Sequence, residues 1–266
     1  MKFTLAFGIY NKADWIESLL RSWLDHLSGR HDVQIVLVFD ACTDGSDAIA
    51  RDVLSGYAWP CVWLYADDVY EIRCNNVALE AAAGDVIVFI QDDNWMYDRG
   101  YDDTLAQAMT WERVGAVGLL AGLQLRPGLT WRRIEVDRPH KGGQFNGDGD
   151  QALGVYAVDA INRPFAIHTK TLRALGGLDE AYCPTSYDDL DLSIRLLQAG
   201  YTNLYVPFDV LNTCASKQTM GQPAIAGHYG RGRSLCRQRH QTYTDELEST
   251  LQVLYPLRES KDGLIV

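Results

Sequence analysis

Val86-Ile87-Val88-Phe89-Ile90-Gln91-Asp92-Asp93-Asn94 is the stretch on which the fold turns. Its apolar run, rich in β-branched residues, reads as a strand covered on both faces. The run stops abruptly on two adjacent acids and an asparagine. Three other segments behave in a similar way: residues 3–9 end at Tyr10-Asn11, residues 33–39 end at Asp40, and residues 62–65 form a shorter apolar run. Helical patterns lie between them. Trp15, Ile16, Leu19, Leu20, Trp23, Leu24 and Leu27 recur at helical spacing, with Asn11 and Asp14 placed to cap the start. Residues 47–54 follow a turn, and residues 72–83 predict a helix closed by Gly84. Alternating strands and helices imply right-handed crossovers and a mostly parallel sheet flanked by helices, an α/β fold. Ligands of such sheets bind beyond the carboxyl ends of the strands. Tyr10-Asn11, Asp40 and Asp92-Asp93 share that edge, so a site is expected there.

The second half is less regular. Residues 114–125 read as a strand with small-residue breaks, residues 126–150 as a glycine-rich loop, and residues 165–168 as a strand. A short helix over 170–175 is ended by Gly176-Gly177. Residues 189–198 predict a helix, 203–206 a strand stopped by Pro207, and 244–254 an amphipathic helix.

Composition narrows the class. The 266 residues are 47% hydrophobic and 22% charged, enough for one large core. Against 24 Lys and Arg stand 35 Asp and Glu, a net charge of −11, which argues against a general nucleic-acid binder. Cys42, Cys61, Cys74, Cys183, Cys214 and Cys236 lack zinc-type spacing and read as thiols of a reducing cytosol. The first residues form too short an apolar run for a signal peptide. Residues 114–125 fall short of the roughly 20 apolar residues that a membrane span needs. A cytoplasmic protein without a transmembrane segment is expected.

Asp92-Asp93 can hold a hard divalent ion on substrate phosphates, or cap the next element. Asp188-Asp189, with Asp191, falls at a helix start, where capping alone would account for acids. Asp40 closes an apolar strand with no evident structural task. Residues 210–240 contain no acid but include Lys217, Arg231, Arg233, Arg237 and Arg239. The segment His228-Tyr229-Gly230-Arg231-Gly232-Arg233-Ser234 is spaced like a loop closing on phosphates, or it forms a solvated basic face. Trp95, Trp111, Trp131, Tyr156 and Tyr187 are candidates for stacking on a sugar, or for the core.

These elements, in order and spacing, resemble the inverting glycosyltransferases of family 2, which have the GT-A fold. Residues 38–46 (VFDACTDGS) resemble the family's V-D-D-G-S-T-D-G-S segment. Asn76 to Asp85 (NVALEAAAGD) resembles N-A-G-L-E-A-A-T-G-D, and Gln91-Asp92-Asp93-Asn94 its D-x-D-type metal motif. Leu175-Gly176-Gly177-Leu178-Asp179-Glu180 and Asp188-Asp189-Leu190-Asp191-Leu192 resemble G-G-F-D-E and E-D-x-D-L. The resemblance spans residues 4 to about 208. It implies a Rossmann-like, mostly parallel sheet with a mixed acceptor-side half, in one domain over residues 1–266. Residues 1–112 would bind the nucleotide sugar and 113–225 the acceptor, with 226–266 a basic loop and helix.

The resemblance also assigns roles. Asp189 would be the catalytic base, with Asp188 beside it orienting the acceptor. Asp93 would ligate Mn²⁺ or Mg²⁺, with Asp92 near the ribose or the metal and His228 as a late ligand. Tyr10, Asn11, Asp40, Arg73, Arg231 and Arg233 would serve the donor, Asp40 through the base and Arg73 in place of an arginine that Asn75 replaces. The implied activity is metal-dependent, inverting transfer of a sugar from a nucleoside-diphosphate sugar, UDP-linked for preference. The acceptor would be a hydroxyl of a glycan, as in polysaccharide biosynthesis. Separately, the glycines of segments 126–150 and 226–239 permit them to close over the donor, their cations gaining partners only when a diphosphate arrives. Two other classes are weighed: a nucleotidyltransferase, disfavoured by the single glycine in Gly8-Ile9-Tyr10-Asn11-Lys12, and a silent binding module on the same scaffold.

Overall fold

The computed structural model describes residues 1–141, 153–213, 223–247, 252–260 and 263–265. Strands and helices alternate from the start: β1 (Lys2–Ile9), α1 (Ile16–Leu24), β2 (Asp32–Asp40), α2 (Ser46–Leu54), β3 (Cys61–Ala66), α3 (Tyr70–Ala81) and β4 (Val86–Gln91). There follow β5 (Asn94–Met96), α4 (Tyr101–Ala108), β6 (Val114–Gly118), β7 (Gly122–Arg126), β8 (Thr130–Ile134), β9 (Gly154–Val158), β10 (Ala160–Ile161) and β11 (Phe165–His168). The chain continues through α5 (Thr169–Ala174), α6 (Asp188–Gln198), β12 (Thr202–Tyr205), β13 (Val210–Asn212), α7 (Pro223–Glu246) and β14 (Gln252–Pro256).

Nine strands form the central sheet in the order β14-β9-β12-β6-β11-β4-β1-β2-β3. The block β4-β1-β2-β3 is parallel throughout. β11 enters antiparallel between β4 and β6, and β9 and β14 are antiparallel beyond β12. The sheet is therefore parallel in its first half and mixed in its second. Successive β2 residues serve opposite layers: Ile35 and Leu37 pack with Trp23 of α1, Val36 and Val38 with Ile72 and Ala78 of α3. This double coverage is what the unbroken apolar runs encode. Among the described residues no helix is long and apolar enough to cross a membrane.

Several local expectations change. Asn11 does not cap α1: it is left-handed (φ 50), and its Oδ1 accepts from the Thr43 N–H at 2.8 Å. Gly84 is not a left-handed helix stop. It lies where a Cβ would come within 2.6 Å of the Thr4 nitrogen, so its role is close packing on β1. Residues 114–125 break into β6 and β7, and residues 126–134 continue as the β7–β8 hairpin rather than a loop. Residues 142–150 of that expected loop, like Cys214 and Lys217, lie outside the described residues. The basic segment 226–239 belongs to the 24-residue helix α7, not to a loop. The expected helix over 244–254 gives way to the end of α7 and to β14, with residues 248–251 outside the description.

α7 is fastened to α6 through Asp191, whose side chain is 1% exposed. Asp191 accepts from Arg195 Nε and His240 Nε2, each at 2.7 Å, and from the Tyr182 hydroxyl at 3.2 Å. Burial pushes this carboxyl up, but the His240 hydrogen bond and the Arg195 guanidinium outweigh it and hold it below the usual carboxylate range. A lowered folded value stabilises the fold above about pH 4, and that stabilisation is lost as pH falls through the folded value. Asp191→Asn should therefore cost about 3 kcal/mol at neutral pH. It should also flatten the acid limb of a urea-unfolding series below about pH 4. An acid limb as steep as that of the parent chain would contradict this account of the junction.

Candidate active site

The carboxyl ends of β1, β2 and β4 and the first turns of α3 enclose a small cavity lined by Tyr10, Asp40, Glu71, Cys74, Asp92 and Asp93, among others. The acids in and around it have different employments. Asp40, 1% exposed, does have a structural task, since its two oxygens accept from the Val69 and Tyr70 N–H groups at 2.8 Å each. It thereby satisfies backbone donors at the start of α3, a cap supplied from about thirty residues upstream. Asp92 accepts from the Tyr10 N–H at 3.0 Å and lies 3.4 Å from the wholly buried Lys12 ammonium. A protein cation thus already offsets one member of the acid pair. Asp93, 5% exposed, accepts from the Asn94 side-chain amide at 2.9 Å.

Arg163, placed just before β11, brings the second acid pair under control. Its guanidinium is buried, hydrogen-bonded to Asp188 and 3.4 Å from Glu71. Burial pushes the Glu71 carboxyl up to about 7, with Arg163 pulling the other way and Asp188 adding to the rise. Asp189 faces differently: its Oδ2 accepts from the Asn162 amide at 3.0 Å, and its Oδ1 from the Leu190 N–H at 2.8 Å. Burial, and then the Asp188 charge, hold the Asp189 carboxyl above the ordinary carboxylate range. Of two adjacent acids, one is locked to a guanidinium and the other keeps a raised carboxyl bonded to a neutral amide.

The segment entering α6 is strained. Ser186 and Tyr187 are both left-handed, with φ of 74 and 69. α7 lies directly against them, and a Cβ on Gly232 would stand 3.2 Å from the Ser186 carbonyl and the Tyr187 ring. A glycine here permits the close approach of the helix.

Sequence reasoning missed Glu71, Asn162 and Arg163. Glu71 had a signal: it shares a helical stripe with Cys74, Asn75 and Ala78, where a carboxylate among small residues faces inward. Arg163 carries no local pattern, because its partners lie 25 and 92 positions away along the chain. Other expected donor-site residues stand elsewhere. Arg73 donates to Glu180 at 3.1 Å on the surface. Arg231 donates to the Cys183 and Ala181 carbonyls, Arg237 to Gly128 and Arg239 to Asp179. Arg233 lies near Tyr187. The closing-lid expectation rested on cations lacking partners until a diphosphate arrives, and Arg231, Arg237 and Arg239 already have them. Burial pushes the Cys42 thiol up to about 11, so it is no nucleophile at neutral pH.

The oxygen donors of this cleft, Asp93 among them, are of the kind that a hard divalent ion takes. His228 is on α7 with its Nδ1 buried and unpartnered, but it is not gathered with Asp92 and Asp93. Among the described residues the one group of three with ligand atoms mutually within 4.8 Å is His31, Asp102 and Asp103, at the opposite edge of the sheet. Ser28 binds Asp102 there through its N–H and its hydroxyl, and Arg30 binds Asp103, which makes the group a loop fastening.

Three comparisons bear on this geometry. The family model described as glycosyl transferase family 2 matches residues 7–168, more than half the chain. No curated protein matches the sequence. Among solved structures, GalNAc-T7 with UDP, GalNAc and Mn²⁺ aligns at TM-score 0.69 and 13% identity, over 88% of this chain and 48% of that one. A mannosyltransferase of Pyrobaculum calidifontis in complex with GDP-Man and Mn²⁺ aligns at TM-score 0.63 and 19% identity, over 93% of this chain and 65% of that one. S. aureus TarS residues 1–349 in complex with UDP aligns at 0.57 and 16%, covering 93% and 76%. The chain thus spans less than two thirds of the first two of these proteins, and the likeness establishes a shared fold.

Removing the cation of the buried network would leave Glu71 and Asp188 facing each other without it. Arg163→Met should cost about 3–5 kcal/mol, read by chemical denaturation at neutral pH. Arg163→Met, Asp188→Leu should recover much of that loss. A double variant no more stable than the single one would show that charge compensation is not what Arg163 provides.

Proposed function

This chain belongs to glycosyl transferase family 2, and on that footing we propose that it transfers a sugar from a nucleoside-diphosphate sugar to a hydroxyl group with inversion at the anomeric carbon. The single observation that carries the reading is the division of labour between Asp188 and Asp189. Asp188 is held by Arg163, while Asp189 keeps a raised carboxyl bonded to a neutral amide. Such a group suits a general base better than an acid locked in an ion pair.

In the proposed reaction Asp189 accepts the proton of the attacking acceptor hydroxyl. Asp188 and Arg163 hold the start of α6 so that this carboxylate keeps its direction. One base opposite the leaving group suffices, in contrast to the paired acid and base of glycosidases. Asp93 would hold Mn²⁺ or Mg²⁺, which when bound neutralises charge developing on the diphosphate. Asp92 stays behind it, anchored to Tyr10 and Lys12. Asp40 can still accept from a nucleobase, since each carboxylate oxygen has a second lone pair. The GDP-mannose and UDP complexes of the similar structures support a nucleotide-sugar donor here, with UDP the favoured carrier. The proposed acceptor is a glycan or similar hydroxyl compound, in polysaccharide synthesis on the cytoplasmic side. Trp131, 41% exposed and edge-on to Tyr187 at 6.0 Å between ring centres, stands beside α6 as a surface for that acceptor.

Asp189→Asn keeps shape and removes the proton-accepting charge. It should cut kcat roughly 10²–10⁴-fold while leaving donor affinity near that of the parent. Reversed roles of Asp188→Asn and Asp189→Asn would move the base, and full activity in both would end the inverting reading. Asp93→Ala should abolish turnover and weaken nucleoside-diphosphate binding, an effect that calorimetry should reproduce in the parent chain with chelator. Affinity unchanged by both treatments would remove the metal assignment.

A further inference from the structure

Glu71 joins the two halves of the candidate site. It lies in the first turn of α3 and borders the cavity at the carboxyl ends of β1, β2 and β4. Its side chain is 22% exposed, so protein makes up most of its surroundings. The Gln91 amide, at the end of β4, hydrogen-bonds it. Arg163 meets it as well, with Nε 3.4 Å from Glu71 Oε1 and Nη2 bonded to Asp188 at the start of α6. That guanidinium is 6% exposed, and its centre lies 5.8 Å from that of the Phe165 ring. One planar cation thus connects α3 to the helix that carries Asp189.

Charge counting makes Glu71 the surplus member of this group. Asp188 alone would match Arg163. Glu71 brings a second carboxylate to the same cation, and Asp189 is a third acid whose charge reaches it. Burial pushes the Glu71 carboxyl up against the pull of Arg163, and the Asp188 and Asp93 charges add to the rise. An acid largely out of water and repelled by its neighbours lowers stability rather than adding to it. A position kept at that expense is characteristic of function.

The geometry shows what Glu71 can do there. The edge of a guanidinium that presents Nε and Nη2 is one that a single carboxylate can fill with two hydrogen bonds. Here the edge is divided, with Glu71 at the Nε end and Asp188 on Nη2. Without Glu71 the guanidinium would be drawn wholly toward the adjacent acids of α6. Asp189 would then come under its charge as Asp188 is now, and a carboxylate paired with a cation is a weaker base. We propose that Glu71 is a positioning residue of the transfer reaction, one that holds the Arg163 guanidinium toward α3 and so keeps it from neutralising Asp189. The proposal rests on Asp189 being the base, and in it Glu71 touches no reacting atom.

Two variants test this in the full chain. Glu71→Gln keeps the length of the side chain and removes its charge, and Glu71→Met removes the acceptor as well. Both take away the surplus acid, so neither should lower the thermal midpoint. In crystal structures at about pH 8, where Glu71 is ionised, the Arg163 guanidinium should reach Asp189 in Glu71→Met and stay off it in the parent. Turnover is read as release of nucleoside diphosphate from UDP-N-acetylglucosamine and from GDP-mannose with Mn²⁺. Each variant should lower kcat about tenfold. Donor KM should stay the same or fall, since a negative charge has left the cavity. In an Asp189→Asn background the Glu71 changes should cost less than about twofold further, because the group through which they act is already gone. A midpoint lowered along with activity would make Glu71 a structural ion pair and overturn the proposal. So would a guanidinium that does not move, or losses that multiply with that of Asp189→Asn. Full activity in Asp189→Asn would end the assignment of the base itself, and the proposal with it.

Discussion

Crowded negative charge at the carboxyl edge of the sheet is the constraint on which the rest of the molecule depends. Asp40, Glu71, Asp92, Asp93, Asp188 and Asp189 all lie in or beside one cleft, several of them nearly out of water. Carboxylates so placed persist only where donors meet them. The fold meets each acid from a different direction. Asp40 takes backbone N–H groups at the start of α3, Asp92 an ammonium from the loop after β1, and Asp188 a guanidinium from the loop before β11. Asp93 and Asp189 are instead joined by the side-chain amides of Asn94 and Asn162. Amides hold a carboxylate in place without neutralising it. These are the two acids whose proposed tasks are holding a cation and taking a proton.

What could be read beforehand follows from how far each signal reaches along the chain. The apolar runs of β1, β2 and β4 and the stripe of α1 are local, because burial on both faces or on one stripe is written in consecutive residues. The strand ends, and so the edge of the cleft, came with them. β11 was legible as a strand but not in its antiparallel direction, which depends on its place between β4 and β6. The segment of α7 has glycines at 227, 230 and 232 and reads locally as a loop. It is helical because it packs on α6, where His240 meets Asp191 and Gly232 allows contact with Tyr187. The same reach explains the misreading of its arginines: the carbonyls and carboxylates that hold them lie about 50 to 109 residues away. Asp40 seemed to lack a structural task for the same reason, since the N–H groups it caps follow a whole intervening helix and strand.

The two edges of the sheet carry opposite characters for one topological reason. Helices that connect parallel strands run antiparallel to them, so α2 and α3 begin at the carboxyl edge and end toward the amino edge, and α6, which leads into β12 at the amino edge, does the same. At their beginnings, unpaired N–H groups favour acids, and Asp40 at α3 and Asp188 to Asp191 at α6 stand there. At their ends, unpaired carbonyls favour cations, and Arg173 and Arg113 close α3 and α6. The acids that make the carboxyl edge suited to a metal-bound diphosphate and a proton acceptor are therefore partly a product of capping. So are the cations at the amino edge. Capping fixes where each side chain stands, and chemistry can use only the bonding capacity that capping leaves. On that view the distinction between a structural and a functional acid is decided by partner type rather than by position. A guanidinium neutralises the acid it binds, as it does Asp188, whereas an amide orients a carboxylate without supplying a counter-charge.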